Sequence, residues 1–175
     1  QNPLAAAWLG AVGLCGLLHF GLFHLLALAW QLRGVDAQPI MQAPIRSVSL
    51  SEFWGRRWNA AFNALAFDFV FRPLTRRAGL GPATLAAFLI SGLVHELVIS
   101  VPARGGYGQP TAYFLVQGLG VLFERSALGQ RLGLGRGWRG RLFTFACAAG
   151  PVFWLFHPPF MNEVMLPFLR VIGAF

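Results

Sequence analysis

The chain has 175 residues, of which 56% are apolar and only 11% charged, against about 25% charged in an ordinary soluble domain. With a mean hydropathy of +0.58, this composition excludes a soluble core and points to an all-α, polytopic transmembrane bundle, a single membrane domain over residues 1–175. The net charge is +8 and every basic residue is Arg; in a membrane protein such an excess marks the cytoplasmic side and contacts with anionic lipid or phosphate rather than nucleic acid.

In chain order, residues 4–30 are almost continuously apolar, interrupted by His19 and His24, and are long enough to cross a hydrocarbon core of about 30 Å. Residues 31–49 read as a loop. Ser49 and Glu52 form an S-x-x-E capping box, so a helix is expected to start near Leu50 and to run to Arg72-Pro73. Arg56 and Arg57 precede its apolar part, and Arg72, Arg76 and Arg77 follow it. The intervening stretch reaches only about 18 Å at 1.5 Å per residue, too short to cross. Residues 50–72 are therefore expected to be re-entrant or interfacial, with both ends cytoplasmic. Residues 75–81 read as a basic turn, Pro82–Val101 as a span, 102–110 as a turn and 111–123 as a further span. Residues 125–141 read as an Arg/Gly-rich cytoplasmic loop, 142–157 as another span ended by "HPPF", and the last fifteen residues as a fifth span or a surface helix. The expectation is thus four or five spans plus one re-entrant or interfacial helix.

The isolated Cys15 and Cys147 have no CxxC or His-rich context, so neither a disulfide framework nor a structural metal is expected. The first apolar stretch is too long for a signal peptide. The chain begins at Gln1, which fits a fragment whose N-terminal spans are missing. The absence of Lys fits a GC-rich, bacterial genome and hence an inner-membrane location.

Two stretches stand out. "SGLVHELVIS", residues 91–100, places His95 and Glu96 inside an apolar span. An ionisable group there costs about 2.5–3.5 kcal/mol on insertion scales and usually marks a polar path or a reactive site. On a regular helix Ser91, Gly92, His95, Glu96 and Ser100 share one half of the surface. Ser91 lies four residues before His95 and Ser100 four after Glu96, so each hydroxyl is placed to bond its partner. A neutral polar pair gluing helices together explains the same pattern. "FWGRRWN", residues 53–59, puts Trp54 and Trp58 on one helical face and Arg56, Asn59 and Asn63 on another. An aromatic belt accounts for Trp and Arg; two Asn one turn apart in apolar surroundings need partners.

Together the two stretches resemble the membrane-bound O-acyltransferase family. "FWGRRWN" is similar to its FYxxxWN-type motif, and "SGLVHELVIS" to the span that carries its histidine, in the same order. "SLSEFWGRRWN" most resembles the wax-synthase-like branch. The resemblance implies His95 as the essential histidine, Asn59 as its companion and Glu96 as an acidic neighbour. The chain would then be the C-terminal part of a larger enzyme, since members of the family usually have more spans. It implies acyl transfer from acyl-CoA to the hydroxyl of a lipid-like alcohol, with His95 as general base. Asn59 serves either as oxyanion donor or as the group orienting His95. Glu96 serves either to fix the imidazole tautomer or structure alone. Arg56, Arg57, Trp58, Arg76 and Arg77 are placed to hold CoA, or to meet lipid headgroups. No metal or organic cofactor beyond the acyl donor is implied. Other acceptors (diacylglycerol, a sterol, a sugar or an envelope polymer) and a non-enzymatic transport subunit with a proton-relaying His-Glu pair remain open. His19, His24 and His157 read as packing residues, and the G-x-G-x-x-G at 135–140 as an Arg/Gly-rich loop without the preceding strand that a dinucleotide site needs.

Overall fold

The computed structural model describes residues 3–174 and is all-helical, with no strand among the described residues. Among the described residues two helices are long and apolar enough to cross a membrane, Pro3–Gln31 and Leu80–Ala103. The first leaves Leu9, Val12, Leu17, Leu25 and Leu26 exposed, as a lipid-facing helix does. The stretches 111–123 and 142–157, expected as spans, lie on shorter helices: Gln109–Arg125, and Gly137–Ala149 followed by Val152–Leu155 after the Gly150-Pro151 break.

Three helices pass through a proline, two of them, at Pro73 and Pro102, where the sequence reads a stop. Wide π turns at Phe67–Phe71, Glu96–Ser100 and Met161–Met165 each end two residues before Pro73, Pro102 and Pro167. Proline lacks the N–H for the i→i−4 bond, and its ring collides with the carbonyl four residues back. A wider turn relieves both faults and lets the helix continue. The helix after the tryptophan motif therefore reaches Ala78. Arg76 and Arg77 belong to its last turn, not to a loop, and Gly79 (φ +86°) breaks the chain before Leu80.

The expected unbroken helix over 50–72 is two pieces. Residues 50–57 are helical, Trp58 is extended, and Asn59 is left-handed (φ +47°, ψ +63°) and starts the next helix. The break is held from outside. Gln42 N–H donates to the Arg57 carbonyl and Ala60 N–H to that of Ile40, both at 2.8 Å, so residues 40–42 brace the chain where it leaves the helix. The Arg-rich loop is also structured, with a short helix at Ala127–Arg131 and the next helix already under way at Gly137.

The Leu80–Ala103 and Gln109–Arg125 helices form the main packed pair. Small residues set their separation: a Cβ added at Gly92 would stand 2.7 Å from the Thr111 Cα, and one at Gly118 would meet Phe88. Around them Ile99, Tyr113, Phe114, Leu155 and Phe160 form the largest apolar cluster, with Trp54 and Phe88 against it. A second cluster, of Ala7, Ala11, Met161 and Leu166, fixes the first helix to the C-terminal one. We expect Gly92→Val to cost about 1–3 kcal/mol, as forced overpacking does. Thermal unfolding of the purified protein checks this, and a wild-type midpoint would show that the two helices separate freely.

Candidate active site

His95 is the last residue before the π turn at 96–100. Its Nδ1 lies 2.7 Å from the Ser91 carbonyl oxygen. A carbonyl only accepts, so Nδ1 carries the proton and the neutral ring presents the Nε2 lone pair, which has no partner among the described residues. The ring is half-buried and rests on Phe114, centroids 4.4 Å apart. Both hydroxyls expected to serve this pair have further partners. Ser91 Oγ donates back to the Ala87 carbonyl, and Ser100 Oγ meets His157 Nε2 at 3.1 Å. Ser100 also stays beside the Glu96 carboxylate, as the four-residue spacing predicts.

Glu96 does not set the His95 tautomer. Its Oε1 accepts from Gly108 N–H, Thr111 N–H and Thr111 Oγ at 2.8–3.0 Å, tying the His95 helix to the first turn of the next. Neighbouring residues on a helix point about 100° apart; here both reach the Gln109–Arg125 helix, His95 at Phe114 and Glu96 at Thr111, and no hydrogen bond joins the two. Beside Glu96 lies a mostly apolar cavity of about 400 Å³, lined by Leu93, Tyr107, Thr111 and Leu115 among others. A larger one, about 670 Å³, lies around Arg104, Pro158 and Glu163. Neither includes His95 or Asn59.

Asn59 caps the helix that follows it: its Oδ1 accepts from Phe62 N–H at 3.2 Å. The carboxamide NH₂ has no partner among the described residues. Its own N–H points at the sulfur of buried Met41. Asn63 donates to the Gly55 carbonyl, so it is spent in closing the motif turn. His95 and Asn59 share no hydrogen bond or ring contact. They are connected by an aromatic wall, in which Phe114 meets Trp54 at 5.6 Å and Trp54 meets Trp58 at 6.3 Å. Trp54 Nε1–H donates to fully buried Gln117, whose amide donates to the Cys147 carbonyl.

Trp58 stacks between Phe53 (5.5 Å, planes 16° apart) and His19 (5.6 Å, 26°). His19 repeats the His95 arrangement, its Nδ1 3.0 Å from the Cys15 carbonyl. It is a member of the motif's packing, which nothing in its own neighbourhood of sequence signals. His157 is buried and structural. Its Nδ1 accepts from Phe160 N–H, so in the neutral ring Nε2 donates to Ser100, and His157 is not placed as a base toward that hydroxyl.

The arginines of the motif are committed. Arg56 and Arg57 both bond Glu52, at 2.7 and 2.8 Å, and Arg57 also donates to the Gln42 carbonyl. Arg76 and Arg77 are exposed and hold no ion pair among the described residues. Glu52 completes the expected cap one residue further out: Ser49 Oγ accepts from Glu52 N–H, and Glu52 Oε2 accepts from Val48 N–H. That amide first, then Arg57 and Arg56, hold the Glu52 carboxyl below the usual carboxylate range. A depressed folded-state pKa means stability present above the unfolded value of about 4.3 and lost as pH falls through the folded one. Unfolding midpoints between pH 7 and 3 should therefore drop less steeply for Glu52→Gln than for wild type; parallel curves would contradict this.

One residue the motifs do not announce anchors the whole arrangement. Glu124, 2% exposed, accepts from Leu50 N–H, Ser51 N–H and Ser51 Oγ, the last at 2.8 Å. It thus caps the motif helix from the end of the Gln109–Arg125 helix. A carboxylate closing an otherwise apolar run is the signal that would have found it.

The model of the membrane bound O-acyl transferase family matches residues 37–117, which hold both motifs. The chain belongs to that family. It is 32% identical over 146 residues to the probable long-chain-alcohol O-fatty-acyltransferase 3 of Arabidopsis thaliana, covering 75% of this chain and 42% of that protein. It is 30% identical over 143 residues to the long-chain-alcohol O-fatty-acyltransferase of Simmondsia chinensis, covering 74% and 40%. With the acyl-CoA–sterol O-acyltransferase 1 of Arabidopsis thaliana it shares 27% over 158 residues, covering 81% and 45%. The wax-synthase-like resemblance of the motifs agrees with these names. The chain spans about two fifths of the length of these relatives. They come from plants and lend nothing to a bacterial inner-membrane location. No solved structure matches.

Proposed function

We propose that the protein transfers a fatty acyl group from acyl-CoA to the hydroxyl of a long-chain alcohol within the membrane. The observation that carries this reading is the free Nε2 of His95, on a ring whose tautomer the Ser91 carbonyl fixes, inside a segment that matches the family. As the alcohol oxygen attacks the thioester carbonyl carbon, Nε2 takes its proton. The tetrahedral intermediate then expels the CoA thiolate, which recovers that proton from the imidazolium. General-base catalysis of this kind contributes typically about 10²–10⁴.

Ser91 already orients His95, so Asn59 is free for the other role: its unpartnered NH₂ donates to the oxyanion. The reacting carbonyl would lie between the two groups, along the Trp54–Phe114 wall. Apolar surroundings suit an acyl chain and a fatty alcohol and keep water, the competing nucleophile, scarce. No hydrogen bond joins Glu96 to His95, whose Nδ1 is held by Ser91 instead, which disfavours the transport reading.

Full-length protein, supplied with labelled palmitoyl-CoA and hexadecanol, should form the ester; no ester, with a cholesterol control also blank, overturns the reading. Ester on the sterol alone would move the protein to the other acceptor. Asn59→Asp keeps the capping oxygen but lacks the NH₂. It should lose about 10²–10³ in rate, the usual cost of an oxyanion donor, with an unchanged unfolding midpoint. Full activity in Asn59→Asp would remove Asn59 from the mechanism.

A further inference from the structure

Six arginines, Arg46, Arg125, Arg131, Arg136, Arg139 and Arg141, have no role in the site just described. All six are exposed, and none holds an ion pair among the described residues. The fold gathers them near the motif helix. The 125–141 segment lies tightly on residues 47–51: a Cβ on Gly140 would run into the Val48 carbonyl, and Gly135 sits against Ser49 and Glu124. Arg125 Nε donates to Ser51 Oγ at 3.0 Å. Both carboxylates of the neighbourhood are consumed inward, Glu124 by Leu50 and Ser51, and Glu52 by Val48, Arg56 and Arg57. No carboxylate among the described residues pairs with the outer cations. Arg56 and Arg57, the cations the motif itself offers, are already paired, so the uncommitted positive charge has moved to the neighbouring segment.

The same segment carries apolar side chains in the open. Trp138 is 71% exposed with the Arg139 guanidinium 5.6 Å from its ring, and Leu128, Leu132 and Leu142 are also exposed. Arginine interleaved with Trp and Leu is the make-up of a surface lying at the level of phosphates, with its apolar residues dipping into the acyl boundary. Guanidinium groups bind phosphate through paired N–H donors.

We propose that residues 125–141, with Arg46, form a phosphate-binding surface beside the tryptophan motif. The phosphates come either from CoA, docked next to the site where its thioester would react, or from anionic lipid headgroups. The CoA source rests on the acyl-transfer reading; the lipid source does not.

Thermal shift of full-length protein tests this without needing catalysis. The probes are CoA, phosphate-free pantetheine, and mixed micelles with phosphatidylglycerol in place of phosphatidylcholine. The variant replaces Arg131, Arg136, Arg139 and Arg141 by Gln; these side chains are exposed, so its unliganded midpoint should stay at wild type. Stabilisation of wild type by CoA, absent with pantetheine and lost in the variant, assigns the surface to CoA. Stabilisation by phosphatidylglycerol lost in the variant, with any CoA shift retained, assigns it to lipid. If the variant responds to both probes as wild type does, the proposal is overturned. Should the variant prove unstable, the wild-type shifts must shrink steeply between 0.05 and 0.5 M salt, roughly one Debye length falling from above 10 Å to below 5 Å; salt-insensitive shifts overturn the proposal equally. Absence of ester formation by wild type would sink the acyl-transfer reading and leave these shifts to be read on their own.

Discussion

His95→Gln should lower ester formation by about 10²–10⁴ while leaving the unfolding midpoint near wild type. The substitution is chosen for what it keeps. A glutamine amide can still donate toward the Ser91 carbonyl, as Nδ1–H does at 2.7 Å, and can still lie on Phe114. It has no nitrogen lone pair to take a proton. Chemistry and packing are thus separated at one position, which His95→Ala would not achieve. The alternative account, a polar residue that merely glues helices, predicts that Gln performs as well as His, since interhelical hydrogen bonds need only a donor or acceptor. Single-turnover measurement with labelled acyl-CoA decides between them, and ester formation within a few-fold of wild type would remove His95 as the base.

Glu124→Ala should be the most destabilising single change at the candidate site. It strands the amides of Leu50 and Ser51 and the Ser51 hydroxyl in a buried position. Each orphaned buried donor costs about 1–3 kcal/mol, so a loss of roughly 3 kcal/mol is expected. Activity should fall with it, because the freed helix carries Trp54 and leads into Trp58 and Asn59. Glu124→Gln keeps one acceptor oxygen but turns an NH₂ toward the helix amides, so it should fall between wild type and Glu124→Ala. Chemical or thermal unfolding in detergent checks the order. Equal midpoints for all three would mean that water replaces the carboxylate, and that residues 50–57 are held by their aromatic contacts alone.

A good part of the molecule follows from composition and local pattern. The all-helical class, the long apolar helices at 3–31 and 80–103, and the helix start at Ser49 are local consequences of hydropathy and capping chemistry. So is the pairing of an Asn-bearing tryptophan motif with a buried histidine, which carries the family. What escapes the pattern does so for identifiable reasons. The π turns before Pro73, Pro102 and Pro167 keep helices running where proline should end them. The break at Trp58-Asn59 is imposed from a distance, by the Ile40 and Gln42 backbone. No helical wheel drawn over 50–72 contains it.

The sequence by itself determined which groups carry the chemistry: an imidazole, a carboxamide and an aromatic-rich helix, because residue type and hydropathy are local properties. Only the tertiary structure decided what each group is free to do. It commits Arg56 and Arg57 to Glu52, and Glu96 to Thr111 and Gly108. It sets His19 on Trp58 and makes Glu124 the cap of the motif helix. The longest of these meetings, Glu124 with Leu50, joins groups 74 residues apart in the chain, and such meetings follow from packing, which no spacing within one segment encodes.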